Sequence, residues 1–404
     1  MNVPAADAPT PSDHPAWLAF EGAQARVVVD LDAIVRNATT LKARVGDAQL
    51  MAVVKGDAYG HGLVPTARAA LRGGATWLGV AQLHEATALR DAGIDARVLC
   101  WLLAPGSDFE TAIRRDIDLG VSSAAMVRDV AIAAEAAGRV ARVHLKVDTG
   151  MARNGAYGDQ WTELVAAARE ARGRGLVEVV GLFTHFVRSD EPRHPEVAAQ
   201  IDRFRAAEKD CDDAGFHLEV RHMANSAGAI FVPESRFDLV RVGLALYGLS
   251  PAPDLATPQD LGLDPAMSVT AHVAVTKRVP AGQGVSYGHT YVTDAETNLA
   301  DIPAGYADGV PRHGSNKAPV MVNGTIGHIA GRVCMDQFVV DMGDAAVQPG
   351  DEAVLFGRAA DGTPGPTAQE WADAADTISY EIVTRMSTRL PRIYCGDLSE
   401  ELTR

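Results

Sequence analysis

Between residues 23 and 250 the chain alternates short apolar runs with longer, Ala-rich amphipathic segments. An opening strand (ARVVVDL) and a helical stretch (LDAIVRNATTLKARV) come first. Eight apolar runs follow: LMAVVK, TWLGVA, RVLCWLL, DLGVS, RVHLKVD, VEVVGLF, HLEVRHM and FDLVRVG. Most intervals between them carry apolar positions at helical spacing, as in VPTARAALRGG, AMVRDVAIAAEAAG and AAQIDRFRAAEKDCDDAG. Strands that read as continuous apolar runs are covered on both faces, and intervening helices make them parallel. Eight such repeats within about 200 residues predict a (β/α)8 barrel. A doubly wound open sheet satisfies the same periodicity and stays open at this point.

The pattern changes near residue 250. SPAPDLATPQDLGLDP is rich in Pro and Asp and reads as a linker. Beyond it lie alternating β-branched runs: SVTAHVAVTKRV, TNLADI, APVMVNGTIGHI, QFVVDM and DEAVLFG. NG, PGD and ADG turn signals separate them. These predict a second, mainly antiparallel β domain, with helices near TAQEWADAA and ISYEIVTRMST. The expected fold class is α/β plus β. The expected divisions are a tail over 1–22, a barrel over 23–262 and a β domain over 263–404.

Composition narrows the functional classes. The chain has 404 residues, 47% of them hydrophobic, and a net charge of −15. It is long enough for a large core without staples, and no apolar stretch approaches a membrane span. An acidic surface repels phosphate backbones, so nucleic acid is not an expected partner. Cys100, Cys211, Cys334 and Cys395 form no CxxC pair, which argues against a zinc ribbon or a disulfide framework and fits a reducing compartment. No metal is expected. Residues 1–22 have neither a basic start nor an apolar core, so they are not read as a secretory signal. Their Pro/Ala/Asp content suggests a poorly ordered tail, and the expected location is cytoplasmic.

The candidate chemistry gathers at strand ends. Lys55 closes the first barrel run and is followed by a turn with Gly56, Tyr59, Gly60, His61 and Gly62. A lysine closing a buried strand is desolvated, which lowers its pKa and makes it a usable nucleophile. The bland alternative is a lysine that snorkels to solvent. Only six of the 37 basic residues are lysines, so surface charge here is mostly arginine. That shifts the weight toward function. Lys146 and Arg153 (HLKVDTGMARNG), His185 (FTHF), His222, Asn225 and Ser226 (RHMANSAG), and Arg241, Gly243 and Leu244 (RVGLALYG) also follow or end their strands. In a barrel they converge on the C-terminal rim, where barrel enzymes keep their sites and bind phosphate after strands seven and eight. A lysine nucleophile beside a phosphate cradle points to pyridoxal phosphate. A Schiff-base aldolase acting on a sugar phosphate competes on spacing alone.

VVKGDAYGHG, HLKVDTGMARNG, GLFTHF, HMANSAG, RVGLALYG, VSYGHTY, GYADGVPR, GRVCMDQ and ISYEIVTR together resemble the alanine racemase family, in family order and over nearly all the chain after residue 22. The resemblance implies a pyridoxal phosphate barrel plus a β domain in a head-to-tail homodimer. It would interconvert L- and D-alanine and supply D-alanine for peptidoglycan. Lys55 would carry the cofactor. Tyr59, Ser226, Gly243, Leu244 and Tyr380 would hold its phosphate. His185 would stack on the ring with Asn225 nearby, Arg241 would donate to the ring nitrogen, and Arg153 would bond the phenolic oxygen. Tyr287 of the partner subunit would be the second base, with Met335 and Asp336 near the substrate carboxylate. Tyr306 and Arg312 would gate the mouth, and Lys146 matches a lysine that some relatives carbamylate. Two departures stand out. Gly-Asp follows the lysine where Ala-Asn or Ala-Asp is commoner, and VRSDE follows His185 where an Ala-containing segment is usual. Neither touches an assigned catalytic group. The rivals are a broader-specificity racemase, a decarboxylase (disfavoured by Arg241 at the ring nitrogen) and a single-barrel cofactor carrier (disfavoured by the β domain).

Overall fold

A computed structural model describes residues 23–403; the expected tail over 1–22 lies outside the described residues. The chain divides into two compact units. One comprises residues 30–266 and 396–403; the other comprises 23–29 and 267–395.

After β1 (Ala25–Asp30), each of the eight apolar runs forms a strand: β2 (Gln49–Val53), β3 (Trp77–Val80), β4 (Arg97–Cys100), β5 (Ile117–Val121), β6 (Ala141–Lys146), β7 (Val177–Phe183), β8 (Val220–His222) and β9 (Leu239–Val242). All the pairings from β2 to β8 in sequence are parallel, and β9 pairs parallel with β2. The remaining seam is bridged by two backbone bonds, Arg241 N–H to Ala224 O (2.9 Å) and Asp238 N–H to Arg221 O (3.2 Å). The sheet therefore curls into a nearly closed barrel, and the open doubly wound alternative falls away. Side-chain caps start several of the outer helices. Asp30 accepts from Ala33 N–H ahead of Leu31–Val45, and Ser123 accepts from Met126 N–H ahead of Ala124–Ala137.

The barrel interior is packed, not hollow. Met51, Trp77, Leu99, Val220 and Leu239 form a core against which Trp101 lies. Burying Trp77 alone, about 200 Å² at about 25 cal/mol per Å², stabilises the fold by about 5 kcal/mol. Large rings inside a barrel need small neighbours. A Cβ on Gly79 would sit 2.6 Å from the Trp101 ring, and one on Gly181 would sit 2.6 Å from carbons of the His144 ring.

The second unit carries a nine-stranded sheet in which β1 pairs antiparallel with Met267–His272. The NG signal is a hairpin turn. Asn323 (φ +49°) and Gly324 (φ +74°) join Pro319–Val322 to the antiparallel Thr325–Ile329, both with the positive φ that a two-residue turn requires. The two expected helices appear at Ala368–Ala374 and Ser379–Thr384.

The division expected at 262/263 falls at 266/267, and two terminal segments change sides. Residues 23–29 belong with the β unit, because β1 finds its backbone partners in Met267–His272. Residues 396–403 belong with the barrel. There the Asp32 carboxylate accepts from Asp397 N–H (2.7 Å) and Leu398 N–H (3.2 Å), while Arg68 donates to Leu402 O (3.2 Å). Among the described residues no helix is long and apolar enough to cross a membrane.

Candidate active site

Lys55 follows β2 at the C-terminal rim of the barrel and opens an unusual turn. Gly56, Asp57, Ala58 and Tyr59 all have φ between +53° and +63°, a left-handed helical turn containing three residues with a Cβ. Each such residue costs about 1–2 kcal/mol, so its surroundings must hold the turn in place. Glu85 does this from one side: its carboxylate accepts from the N–H groups of Gly56 (2.6 Å), Ala81 (3.0 Å) and Gln82 (3.0 Å). Asp57 accepts from Leu63 N–H (2.8 Å). On the inner side the Tyr59 and His61 rings pack on buried Tyr247, with centroids 4.8 and 4.4 Å away. Tyr247 in turn donates to Val53 O at 2.8 Å. Strain held this firmly is characteristic of a functional site.

Around Lys55 the rim is strongly basic. Burial lowers the Lys55 pKa, and the Arg153 and Arg241 charges add to that, against the opposing pull of Glu85. Lys146, the last residue of β6, is pushed down to about 8 by burial, then by Arg241 and Arg153. His185 is held well below the ordinary imidazole range by burial and by the same cations. The nearby carboxylates are already engaged: Glu85 by three N–H groups, and Asp148 by the N–H groups of Gly150, Met151 and Ala152 in its own loop. Arg153 is exposed and makes no hydrogen bond or ion pair among the described residues. The cluster has the charge to attract an anion, and burial lowers the pKa of Lys55.

Beside it stand donors suited to a compact anion. Asn225 caps the short helix Ser226–Phe231 by accepting from Gly228 N–H (2.9 Å), and it also accepts from Ser189 (2.8 Å). The Ser226 hydroxyl accepts from Gly243 N–H at 2.9 Å. Leu244 opens the turn Leu244–Tyr247, whose first N–H groups have no partner within the turn itself. Gly243 has no room for a side chain: its Cβ would lie 3.0 Å from Tyr59 Cζ. The Tyr59 hydroxyl, Ser226 and the Gly243–Leu244 backbone thus meet in one place.

Arg241 is almost fully buried and has no carboxylate partner among the described residues. Its Nη1 donates to His222 O (2.7 Å) and His222 Nδ1 (3.1 Å). Its Nη2 donates to Thr184 O (2.7 Å), Met223 O (3.2 Å) and His185 Nδ1 (3.3 Å). All five bonds come from the two terminal nitrogens, which leaves Nε as the remaining donor. Burial lowers the guanidinium to about 9, so it stays protonated at neutral pH. The Phe183 ring is near both cations, 5.4 Å from Lys146 Nζ and 5.7 Å from Arg241 Cζ.

Tyr287, Tyr306, Arg312, Met335, Asp336 and Tyr380 lie in the β unit. Several share one surface. Ser286 donates to Arg332 O (2.7 Å), Tyr306 N–H to Cys334 O (3.0 Å) and Ala307 N–H to Met335 O (3.0 Å). The segments carrying Tyr287, Tyr306 and Met335 are thereby adjacent, and these side chains are 72%, 42% and 52% exposed. Arg312 joins them through Ser315, which donates to Arg312 O (2.6 Å) and accepts from Val333 N–H (3.0 Å). Asp336 is paired with Arg389 at 2.8 Å, and Arg389 also reaches Asp308. Tyr380 sits in the helix Ser379–Thr384 of the same unit.

Residue patterns missed Glu85, Tyr247 and Phe183, and also Asp118 and His144 inside the barrel. One signal was available for His144: it stands two residues before Lys146, on the same inward face of β6. Glu85 left none, since a helix-start glutamate is ordinary.

The comparisons with known proteins agree with this geometry. A family model described as "Alanine racemase, N-terminal domain" matches residues 29–251, and "Alanine racemase, C-terminal domain" matches 266–394. The chain is 55% identical to an alanine racemase of Beutenbergia cavernae over 92% of this chain and 98% of that one. The crystal structure of alanine racemase from D-cycloserine producing Streptomyces lavendulae superposes with a TM-score of 0.92 at 52% identity, covering 95% of this chain and 99% of that one. The Bacillus anthracis enzyme with bound L-Ala-P gives 0.85 at 36% identity, covering 94% and 97%.

Proposed function

Because the chain belongs to the alanine racemase family and interconverts L- and D-alanine, we propose that it works with pyridoxal phosphate in the mouth of the barrel, as a homodimer whose β unit lends Tyr287 to the partner's site. The basic rim carries this reading. Burial, with the charges of Arg153 and Arg241, lowers the pKa of Lys55, Lys146 and His185, while the local carboxylates are bound to backbone N–H groups. Such a cluster calls for a bound group with several negative charges. The residues suit this one. Ser226, Tyr59 and the Gly243–Leu244 backbone form a donor cradle in which Gly243 has no space for a Cβ. Arg241 supplies a protonated guanidinium with Nε to spare.

When bound, the cofactor supplies an electron sink that acidifies the Cα–H of alanine. The chain's own residues do the rest. Lys55 would hold the cofactor and would take or return a proton at Nζ on one face of Cα; its lowered pKa favours the neutral form needed to accept. Tyr287 of the partner subunit does the same at its phenol oxygen on the other face. Two bases on opposite faces invert the centre without rotating the substrate. Arg241 would donate to the ring nitrogen and could not accept its proton. His185 would lie against the ring with Asn225 nearby, Tyr380 would add to the phosphate contacts, and Arg153 would bond the phenolic oxygen, steered by a carbamylated Lys146. Met335 and Asp336 would lie near the substrate carboxylate, and Tyr306 and Arg312 would gate the approach. The exposed Tyr287–Tyr306–Met335 surface supports the shared site, since an aromatic and thioether patch of this kind is a face awaiting a partner. The reaction is placed in the cytoplasm, where it supplies D-alanine for peptidoglycan. Borohydride reduction followed by peptide mapping tests the core of this reading. The expected adduct is on Lys55; an adduct on Lys146 overturns it.

A further inference from the structure

A chain of four side chains runs from the active-site rim through the barrel axis. Arg241 Nη1 donates to His222 Nδ1 (3.1 Å), His222 Nε2 lies 2.8 Å from His144 Nδ1, and His144 Nε2 lies 3.2 Å from Asp118 Oδ2. His144 and His222 are wholly buried and Asp118 almost so. A guanidinium only donates, so His222 Nδ1 must accept. That puts the single proton of neutral His222 on Nε2, where it is donated to His144 Nδ1. His144 in turn carries its proton on Nε2 and donates to Asp118. Every link therefore has one polarity, set by a cation at one end and a carboxylate at the other.

The far end is anchored rather than loose. Asp118 also accepts from Arg97 Nη2 and Arg142 Nε, both at 3.0 Å, and Glu219 clamps those arginines at 2.6 and 2.9 Å. Arg97 lies 3.9 Å over the Trp77 ring. The rings are held too: Phe183 stacks on His222 at 5.0 Å and 1°, and Trp77 meets His144 edge-on at 5.6 Å. Gly181 leaves the space that the His144 ring occupies. A hydrophobic barrel core does not need two histidines and a carboxylate; buried polar groups are costly unless all are satisfied.

We propose that Asp118 and His144 are positioning residues for the racemase reaction: through His222 they fix the proton placement and direction that hold Arg241 Nη1, and so set where the guanidinium meets the cofactor. This rests on the reading of Arg241 as the ring-nitrogen contact. Arg97 and His144 share Oδ2 while Arg142 is on Oδ1, so Asp118→Asn would turn an amide N–H either on Arg142 or on Arg97 and His144 together. The relief open to it is to move the proton of His144 to Nδ1, then that of His222 to Nδ1, against Arg241. Gly181→Ala attacks the same chain without altering a polar group, by pressing on the His144 ring.

Histidine 15N NMR of the holoenzyme reads the proton positions directly. The expected wild-type result is Nε2–H on both His144 and His222. In Asp118→Asn both shift toward Nδ1–H, kcat falls about tenfold to a hundredfold, as for other partners that orient a site group, and KM for alanine changes less than about threefold. The cofactor absorption band moves, and Asp118→Glu, which keeps the acceptor, recovers more activity than Asn. Gly181→Ala shifts the same histidine signals. Wild-type enzyme with the proton of His222 on Nδ1 overturns the proposal without any variant having to fold. Arg241→Lys separates the two layers. If it leaves kcat and the absorption band unchanged, the ring-contact reading fails. If it disturbs both while Asp118→Asn and Gly181→Ala disturb neither, the relay alone is refuted.

Discussion

Lys146 should be carbamylated at ordinary carbonate levels, and its place in the barrel says by how much it is favoured over other lysines. The reaction needs the neutral amine. The nitrogen lone pair adds to the carbon of CO2, an N–C bond forms, and one proton leaves for solvent. Burial, then Arg241 and Arg153, bring this lysine from 10.5 to about 8. At pH 7 about one Lys146 in ten is then neutral, against about one in three thousand for an ordinary lysine, a gain of about 300-fold. The product is also better placed than the reactant, since a −1 group replaces a +1 group among Lys55, Arg153 and Arg241. In linkage terms, the lowered pKa means the unfolded chain binds the proton more tightly. The unmodified protein therefore gains stability as pH rises from about 8 toward 10.5, by up to about 3 kcal/mol. Carbamylation removes that dependence. Incubation with 13C-bicarbonate near pH 8 should give one carbamate carbonyl signal per chain by NMR, and Lys146→Ala should lack it. Stripping CO2 should lower kcat/KM, and bicarbonate should restore it. An unlabelled wild type at saturating bicarbonate, or a signal that survives in Lys146→Ala, refutes the reasoning.

Lys55→Ala and Tyr287→Phe homodimers should each be nearly inactive, while mixing them rebuilds one intact site per heterodimer. Random assortment makes about half the dimers mixed, so about a quarter of wild-type activity should return; heterodimers no more active than either parent would place the second base in the same chain. Glu85→Ala leaves three N–H groups without their acceptor, including that of Gly56 in the left-handed turn. It should lower unfolding stability by about 2–4 kcal/mol in urea titrations, and borohydride labelling of Lys55 should drop with it. Gly243→Ala pushes a methyl into the Tyr59 ring and should weaken pyridoxal phosphate binding by about tenfold, equivalent to about 1.4 kcal/mol; an unchanged dissociation constant would remove Gly243 from the cradle.

Local pattern in the chain was enough to find the eight barrel strands. Parallel strands buried on both faces must be short apolar runs, and every such run between residues 49 and 242 became one. It was also enough to place Lys55, Lys146, Arg153, His185 and Arg241 on a common rim, because strand ends of a barrel converge by construction. The hairpin at Asn323–Gly324 was equally legible, since two positive φ values demand those residues. What the pattern could not decide was partnership across distance. Ala25–Asp30 is an apolar run like the others, and nothing within it says that it pairs with Met267–His272, about 240 residues on. The left-handed turn at Asp57–Tyr59 runs against the local preference of three of its residues; it exists because Glu85 and Tyr247, from other elements, hold it. Asp118, His144 and His222 carry no joint signature either. They stand 26 and 78 residues apart, and only closure of the barrel aligns them, because a hydrogen bond is set by direction and distance in space rather than by separation along the chain.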